Sequence, residues 1–322
     1  MTKKSRRVAT IFALGAAGAL VLSACSGAGG SGTKEVAFVQ GVAGDEFYIS
    51  MQCAIEQEAA AQGVSVNTQG PTQFDPSLQK TVLDSVVASR PDAILIAPTD
   101  SAAMQAPLDA AARQGIEIVL VDATVDDPSF AVSQVASDNI GGGAEAFDAI
   151  KQMNPDGGKV LVMSVDPGIS TTDARAAGFE QAVAQDPAFE FLGVQYSHND
   201  PAEAARLITA ALSRDPDIVG VFATNLFASE GTATGIRQAN MQDQVKLVGF
   251  DAGPAQVNQL RDGTVQALIA QEPAVIGKDG FDQAMNALDG NPVTRDIQTG
   301  FQVITADNLD TDGAQWVYRS AC

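Results

Sequence analysis

The amino-acid sequence predicts an α/β fold of the doubly wound type, and three observations support this prediction. Short apolar runs without polar alternation recur along the chain, which is typical of strands buried on both faces of a parallel sheet. Ala-rich stretches with helical periodicity separate these runs. Glycines and prolines, such as Gly63 and Pro91, mark the boundaries. A chain of 322 residues with this pattern is too long for one ordinary core and long enough for two.

Clear signals delimit the first strand and the first two helices. A strand is predicted over Val36–Val42 and a helix over Phe47–Gln62, which a glycine stops. The pair Asp75-Pro76 provides an N-cap and a first-turn proline for the second helix. That helix must end before Pro91.

The remaining predicted elements continue the alternation. The strands are Ala93–Ala97, Ile116–Val121, Lys159–Ser164, Ile218–Ala223, Val245–Phe250 and Val265–Ala270. The helices span 101–114, 172–185, 201–214, 228–239 and 273–288. We interpret Gly141-Gly142-Gly143 as a flexible turn, because it lacks the lysine and the glycine spacing of a phosphate-binding loop.

The composition excludes several classes of function. There are 19 basic and 39 acidic side chains, a net charge of −20, so a phosphate backbone would repel the protein and no nucleic-acid partner is expected. His198 is the only histidine, which excludes histidine-rich metal sites. The acidic pairs lack the spacing of a calcium loop. No Ser/His/Asp set is present, so we expect no catalytic residues, no metal and no cofactor.

The amino terminus has the features of an export signal. Four basic residues precede an apolar run of fifteen residues from Val8 to Leu22. A transmembrane anchor is the alternative, but a span needs about 20 residues. The ending Leu22-Ser23-Ala24-Cys25 resembles the lipobox of bacterial lipoproteins. This resemblance implies a signal peptide over 1–24, lipid on Cys25, a tether over 25–34 and attachment to the outer face of the cytoplasmic membrane, or a periplasmic location.

Two further cysteines, Cys53 and Cys322, belong to the exported part of the chain. Outside the cell two thiols usually pair. A bond between these two would fasten the C-terminal segment to the first helix and add stability. Two buried free thiols are the alternative. A catalytic thiol is disfavoured, because the only histidine is distant in sequence.

Two stretches of the sequence repeat the same pattern. Residues 91–100 parallel residues 216–225, and each stretch is followed by a helix and by a strand that ends in Asp-Ala. This indicates two similar lobes, with a chance similarity between α/β units as the alternative. Ligands bind outside the carboxyl ends of parallel strands. We therefore expect four polar residues to converge on one cleft between the lobes: Asp100, Asp122, Asn225 and Asp251.

A cleft with carboxylates, amides and an arginine favours a neutral ligand with many hydroxyl groups. Each hydroxyl both donates and accepts, and a planar side chain can bind two adjacent hydroxyls. Phe47, Tyr48 and Phe250 are candidates to cover the apolar face of a sugar ring, and core packing is the alternative for each of them.

Five short motifs occur in a fixed order between Val36 and Val303. They are Pro98-Thr99-Asp100-Ser101, Ala136-Ser137-Asp138-Asn139, Gly178-Phe179, Val248-Gly249-Phe250-Asp251 and Ile269-Ala270-Gln271. Together they resemble the ribose/galactose-type periplasmic sugar-binding proteins of ABC importers. The resemblance implies two Rossmann-like lobes, 35–137 plus 272–300 and 138–271 plus 301–322, joined by three crossovers near Ser137, Gln271 and Gly300.

The resemblance also implies a function: a monomeric receptor that closes on a monosaccharide or polyol and delivers it to the transmembrane subunits of an ABC permease. The positions that match the ligand residues of the family are Asp45, Phe47, Tyr48, Asp122, Arg175, Asn225, Phe250, Asp251 and Gln271. Ala123 replaces an arginine of the ribose binders, and Asn199 lies where they carry an aromatic residue, so we expect a ligand other than ribose. A receptor for a furanosyl signal or a nucleoside, or a sensory module, is the alternative.

Overall fold

The computed structural model describes residues 33–322, which form two α/β lobes with one six-stranded sheet each. The predicted signal peptide, Cys25 and most of the predicted tether lie outside these residues. In the part of the chain from residue 33 onward, no helix is both long and apolar enough to cross a membrane. The α/β prediction with two doubly wound lobes is confirmed.

The first lobe begins with alternating strands and helices. Its elements are β1 (Glu35–Val39), α1 (Glu46–Gln62), β2 (Ser65–Gln69), α2 (Pro76–Ser89), β3 (Ala93–Ile96), α3 (Gln105–Ala112), β4 (Glu117–Val121), a 3-10 turn (Pro128–Phe130) and β5 (Ser133–Ser137). As predicted, Asp75 caps α2 through hydrogen bonds from the backbone N–H groups of Ser77 and Leu78. Gly63 ends α1 in the left-handed conformation.

The second lobe repeats the alternation. Its elements are α4 (Asn139–Met153), β6 (Gly158–Ser164), α5 (Ser170–Val183), β7 (Phe189–Tyr196), α6 (Pro201–Arg214), β8 (Ile218–Ala223), α7 (Leu226–Gln238), β9 (Lys246–Phe250), α8 (Pro254–Arg261) and β10 (Ala267–Gln271). The chain then returns to the first lobe with α9 (Pro273–Leu288) and β11 (Asp296–Thr299), and crosses again into β12 (Phe301–Ile304).

The two sheets have matching strand orders. They are β11-β5-β4-β3-β1-β2 in the first lobe and β12-β10-β9-β8-β6-β7 in the second. All neighbours in the first sheet are parallel, whereas β12 runs antiparallel to β10 in the second. The central strands are buried on both faces, which explains their continuous apolar sequences.

Three crossovers connect the lobes. They lie between β5 and α4, between β10 and α9, and at Gly300 between β11 and β12. These are the three places that the sequence indicates. They bring the carboxyl ends of both sheets to opposite sides of one cleft.

The C-terminal tail, residues 305–322, contacts both lobes. It includes a 3-10 turn, Ala314–Trp316, and Asp310 forms an ion pair with Arg261 of the second lobe at 2.9 Å. Its end lies on the first lobe, where a disulfide bond joins Cys322 to Cys53 of α1 with the Cα atoms 5.2 Å apart. The sequence assigned the whole of 301–322 to the second lobe, and the structure places the end of this segment on the first.

The prediction of a flexible turn at Gly141-Gly142-Gly143 is wrong, because all three glycines lie in α4. A Cβ atom on Gly143 would lie closer than 3.0 Å to the backbone carbonyl oxygen of Arg175 in α5. A Cβ atom on Gly178 would come equally close to the backbone of α4. The glycines therefore permit close approach of two helices.

Candidate ligand-binding site

A small cavity lies between the lobes, at the carboxyl ends of the central strands. The residues that line it are Asp45, Phe47, Tyr48, Phe74, Asp122, Val165, Ile169, Thr171, Thr172, Arg175, Asn199, Asn225, Asp251 and Gln271. Eight of the nine ligand-binding residues indicated by the sequence are in this set. The ninth, Phe250, lies beneath Arg175, with its ring centre 3.8 Å from the guanidinium carbon.

The first turn of α1 supplies an acidic residue and two aromatic residues. Asp45 is the N-cap, and its Oδ1 accepts a hydrogen bond of 2.8 Å from the backbone N–H of Phe47. Phe47 and Tyr48 meet edge to face, with ring centres 5.2 Å apart. The hydroxyl of Tyr48 donates to Oδ2 of Asp122 at 3.3 Å. This contact links α1 to the end of β4.

Asp122 and Asp251 occupy equivalent positions in the two lobes, directly after β4 and β9. Both have a left-handed backbone, with φ of 64° and 78°. Such a conformation costs energy in a residue with a side chain and is concentrated at functional sites. It turns each strand end so that its carboxylate lines the cavity.

Arg175 is supplied by α5 of the second lobe and is 3% exposed. Its Nη1 donates to the carbonyl oxygen of Thr224 and its Nε to Oδ1 of Asn139, both at 2.9 Å. Its Nη2 lies 3.9 Å from Oδ1 of Asp122 across the cleft. The guanidinium group is therefore held firmly, stacked on Phe250, with one edge directed at the carboxylate of the opposite lobe.

Asp251 is held by three donors. Its Oδ1 accepts from Nε2 of Gln271 at 2.7 Å and from the hydroxyl of Tyr318 at 3.0 Å. Its Oδ2 accepts from the backbone N–H of Leu226 at 3.0 Å. The sequence did not indicate Tyr318 as a site residue, because no motif marks it and it comes from the tail.

Asn225 is both a helix cap and a site residue. Its Oδ1 accepts from the N–H of Ala228 at 3.1 Å at the start of α7. Its Nδ2 donates to Oδ1 of Asn199 at 2.7 Å, so the two amides line the same wall of the cavity. Asn199, the position where the sequence departs from the ribose binders, therefore contributes a polar group and not a ring.

Burial controls the ionisation of the carboxyl groups. Desolvation raises the pKa of Asp122 to about 6, although the guanidinium of Arg175 opposes this shift. Desolvation and the charge of Asp251 raise the pKa of Asp45 well above its ordinary value. Desolvation also raises the pKa of Asp251, against Arg175 and three hydrogen bonds. Two of these carboxyl groups, Asp122 and Asp251, therefore share the guanidinium of Arg175.

Two polar atoms of the cavity wall have no hydrogen-bond partner among residues 33–322. They are Oδ1 of Asp122 and Oγ1 of Thr172 in α5, and both are buried. A buried polar atom without a partner costs about 1–3 kcal/mol. Hydroxyl groups of a ligand are able to pair with such atoms.

Asp100 does not line the cavity and lies in the outer part of the cleft between the lobes. Its Oδ1 accepts hydrogen bonds from the N–H groups of Ala102 and Ala103, which holds it in a local turn before α3. Asp100 instead lines the wider outer groove, together with Asp166 and His198.

The site has the groups for binding a small polar molecule. No group of three histidine, cysteine or acidic side chains that could hold a metal ion is present in the described residues. The cavity contains hydrogen-bond donors, acceptors and aromatic rings from both lobes. This arrangement can hold a small polar molecule between two lobes.

Comparisons with known proteins agree with the fold. The model of a family described as "periplasmic binding protein domain" matches residues 36–292. The ribose import binding protein of Salmonella typhimurium is 30% identical over 277 residues, 85% of this chain and 92% of that protein. The D-allose-binding periplasmic protein of Escherichia coli is 26% identical over 261 residues, 79% of this chain and 84% of that protein.

Solved structures give the same result. An ABC transporter solute-binding protein from Agrobacterium vitis, bound with α-D-tagatopyranose, is 39% identical and superposes with a TM-score of 0.87, covering 89% of this chain and all of that one. A carbohydrate transporter solute-binding protein from Agrobacterium radiobacter, in complex with D-arabinose, is 26% identical with a TM-score of 0.85, covering 90% of this chain and all of that one. The chain therefore belongs to the periplasmic binding protein family, a family of receptors and not of enzymes.

Proposed function

We propose that this protein is an extracytoplasmic receptor that captures a monosaccharide or a polyol and delivers it to an ABC importer. The observation that carries the proposal is a pair of buried polar atoms without hydrogen-bond partners among residues 33–322, Oδ1 of Asp122 and Oγ1 of Thr172, in a cavity shared by two lobes. Hydroxyl groups both donate and accept, so they can pair with a carboxylate and with a threonine hydroxyl. The relatives named above bind ribose, allose, tagatose or arabinose, which supports a sugar.

The chemistry of the walls favours a neutral ring with many hydroxyl groups. Asp122, Asp251 and Asn225 offer planar groups that bind adjacent hydroxyls, and Arg175 offers donors. Phe47 and the ring of Tyr48 offer an apolar surface for the C–H face of a sugar. We propose a pyranose as the ligand and a ketohexose as the first candidate, because the relative bound to α-D-tagatopyranose is 39% identical.

The structure has the geometry of a closed receptor. The backbone N–H of Ser101 in the first lobe donates to the carbonyl oxygen of Gly168 in the second at 2.9 Å. The N–H of Thr124 donates to Oγ of Ser170, also at 2.9 Å. A ligand that contacts both lobes selects this closed arrangement over an open one. The importer then distinguishes a loaded receptor from an empty one by its shape.

The test of this function is thermal unfolding of the purified, ligand-free protein against a panel of pentoses, hexoses and polyols that includes D-tagatose. A ligand at about 100 times its dissociation constant stabilises the folded state by roughly 2.7 kcal/mol. We expect one stereoisomer to raise the unfolding midpoint and its epimers to leave it unchanged. If no sugar or polyol raises the midpoint of folded, ligand-free protein, the proposal is wrong and the ligand belongs to another class.

We also propose that the protein is a monomer attached by lipid on Cys25 to the outer face of the cytoplasmic membrane. The lipobox-like ending Leu22-Ser23-Ala24-Cys25 supports this. Cys25→Ser should release the protein from the membrane fraction, and mass spectrometry of the wild-type protein should find acyl chains on Cys25. Wild-type protein without acyl chains would contradict the proposal.

A further inference from the structure

We infer that the C-terminal tail supplies a positioning residue to the binding site: Tyr318 orients the carboxylate of Asp251, and the Cys53–Cys322 bond keeps Tyr318 in place. The inference rests on the proposed function, because it assigns ligand binding to Asp251. Tyr318 lies outside the set of residues that line the cavity. It therefore acts on a ligand only through the groups it contacts.

The hydroxyl of Tyr318 makes two hydrogen bonds in a buried environment. It donates to Oδ1 of Asp251 and accepts from the backbone N–H of Gln271, both at 3.0 Å. Tyr318 is 5% exposed, so water does not easily replace these bonds. Tyr318 thus contacts both the carboxylate of Asp251 in the cavity and Gln271, which lies at the crossover before α9.

Loss of the Tyr318 hydroxyl would leave defined groups unsatisfied. The backbone N–H of Gln271 would lose its partner, and Oδ1 of Asp251 would keep only the side-chain amide of Gln271. That amide is itself fixed by Ser137, whose Oγ donates to its Oε1 at 2.8 Å. Asp251 has a left-handed backbone conformation. Without the Tyr318 hydroxyl, fewer contacts would orient its carboxylate.

The tail crosses from one lobe to the other at Tyr318. The N–H of Tyr318 donates to the carbonyl oxygen of Ala252 in the second lobe at 3.0 Å. The next N–H, of Arg319, donates to Oγ of Ser50 in α1 of the first lobe at 2.8 Å. The ring of Tyr318 also lies 5.9 Å from that of Phe47. The tail is therefore a fourth connection between the lobes, beside the three crossovers.

The disulfide bond is the only covalent attachment of this fourth connection to the first lobe. Residues 319–322 are exposed. Two contacts hold them on the first lobe: the disulfide bond to Cys53 and the hydrogen bond from Arg319 to Ser50. Cys322 is exposed, so a reductant has access to the bond, whereas Cys53 is buried. Reduction would free the end of the tail and loosen Tyr318.

The experiment measures the affinity by isothermal titration calorimetry, with D-tagatose or with whichever panel sugar binds the wild-type protein most tightly. We expect Tyr318→Phe to weaken binding about fivefold to tenfold, the effect of one ordinary hydrogen bond, because Tyr318 acts on the ligand only through Asp251. The double variant Cys53→Ser/Cys322→Ser should lose a similar factor. Combining both changes should cause no further loss, because they remove the same contact. Tyr196→Phe, at an exposed tyrosine that ends β7, is the matched control and should bind as the wild type.

The pH profile separates positioning from mere stabilisation. The groups that act on the charge of Asp251 are Arg175, Asp45, Asp122 and Tyr318. The hydrogen bond from Tyr318 lowers the pKa of Asp251. Its removal should therefore move the acidic limb of the affinity profile to higher pH. If Tyr318→Phe lowers only the unfolding midpoint and leaves affinity and profile unchanged, the inference is wrong.

A measurement without ligand distinguishes this inference from the proposed function. Hydrogen exchange of the Gln271 backbone amide should become faster in Tyr318→Phe and in the disulfide variant, while Tyr196→Phe leaves it unchanged. Unchanged exchange in Tyr318→Phe would overturn the inference even if a sugar binds. Faster exchange in a protein that binds no sugar would uphold the role of the tail and reject the proposed function.

Discussion

At the scale of single residues, the two lobes share one feature: an aspartate directly after a strand, with a left-handed backbone conformation. Asp122 and Asp251 have this conformation and are buried. In a buried environment each polar contact has a large effect on the free energy. Both oxygens of Asp251 accept hydrogen bonds within the protein, whereas Oδ1 of Asp122 accepts none among the described residues and only lies 3.9 Å from Nη2 of Arg175. The two carboxylates therefore differ: Asp251 is held by the protein, and Asp122 keeps one oxygen for a ligand.

Thr172→Val tests the second unpaired polar atom of the cavity wall, on α5 of the second lobe, because valine has nearly the shape of threonine and lacks the hydroxyl. Oγ1 of Thr172 has no partner within residues 33–322, so its removal breaks no protein hydrogen bond. We expect the affinity for the sugar to fall about tenfold, the effect of one lost hydrogen bond of about 1.4 kcal/mol. The unfolding midpoint without ligand should not fall. Calorimetry and thermal unfolding measure the two effects.

The matched control is Thr232→Val. Thr232 in α7 also has a buried hydroxyl without a partner in the described structure, but it does not line the cavity. This variant should bind the sugar as the wild type does. Equal losses of affinity in both variants would contradict the assignment of Thr172 to the site.

Asp122→Asn tests the effect of burial on ionisation. The pKa of Asp122 is raised from 3.8 to about 6. Between these pH values the unfolded chain has lost the proton that the folded protein keeps, so the free energy of unfolding falls as the pH rises, by about 3 kcal/mol in total. In Asp122→Asn the side-chain amide does not titrate, so this fall in the free energy of unfolding does not occur. We therefore expect it to be more stable than the wild type at pH 7 without ligand, and the difference to vanish below about pH 4.

Urea unfolding at a series of pH values measures this difference. Asp156→Asn, at an exposed position after α4, is the control and should follow the wild type. A wild-type protein that gains stability over Asp122→Asn as the pH rises from 4 to 6 would contradict the prediction. The same variant should bind the sugar more weakly, since it loses one acceptor.

At the scale of elements, the contact between α4 and α5 positions Arg175. The two helices pack with almost no space for side chains at Gly143 and Gly178. Arg175 lies on α5, and its Nε donates to Asn139 at the start of α4. A change in the distance between the helices would therefore move the guanidinium group.

Gly143→Ala should reduce both stability and affinity. Its Cβ atom would lie closer than 3.0 Å to the carbonyl oxygen of Arg175, a backbone atom that moves only with α5. Overpacking of this kind costs about 1–3 kcal/mol in the free energy of unfolding. Gln152→Ala, on the exposed side of α4, is the control and should be neutral. Wild-type stability in Gly143→Ala would show that the helices separate freely.

The success of sequence-based prediction differed between elements for physical reasons. Strands such as β8 (Ile218–Ala223) were predicted to the residue, because burial on both faces leaves a continuous apolar run. β7 was missed, because it is an edge strand with partly exposed residues on both faces and a glycine within it. α4 was missed because three successive glycines suggest a turn when the neighbouring helix is unknown.

At the scale of the whole molecule, the crossovers and eight cavity residues were predictable because a family resemblance fixes the topology. Thr172 and Tyr318 were not predictable. Thr172 is an ordinary threonine within a helix, and only its orientation towards the cavity makes it a site residue. Tyr318 reaches Asp251 only after the tail has folded back across both lobes. Residues whose role depends on tertiary contacts leave no local signal.

The discontinuous first lobe has a consequence for the order of folding. Its helix α9 packs on α1, β3, β4 and β5, and its strand β11 pairs with β5, yet both follow the second lobe in the chain. Most of the second lobe is continuous from α4 to β10, and only its edge strand β12 and part of the tail follow α9. During synthesis, which starts at the amino terminus, residues 35–137 are made first. The apolar face that α9 covers in the finished protein therefore stays exposed while most of the second lobe is synthesised. All residues that line the cavity precede α9, so the segments that complete the two lobes, α9, β11 and β12, follow both walls of the cleft in the chain.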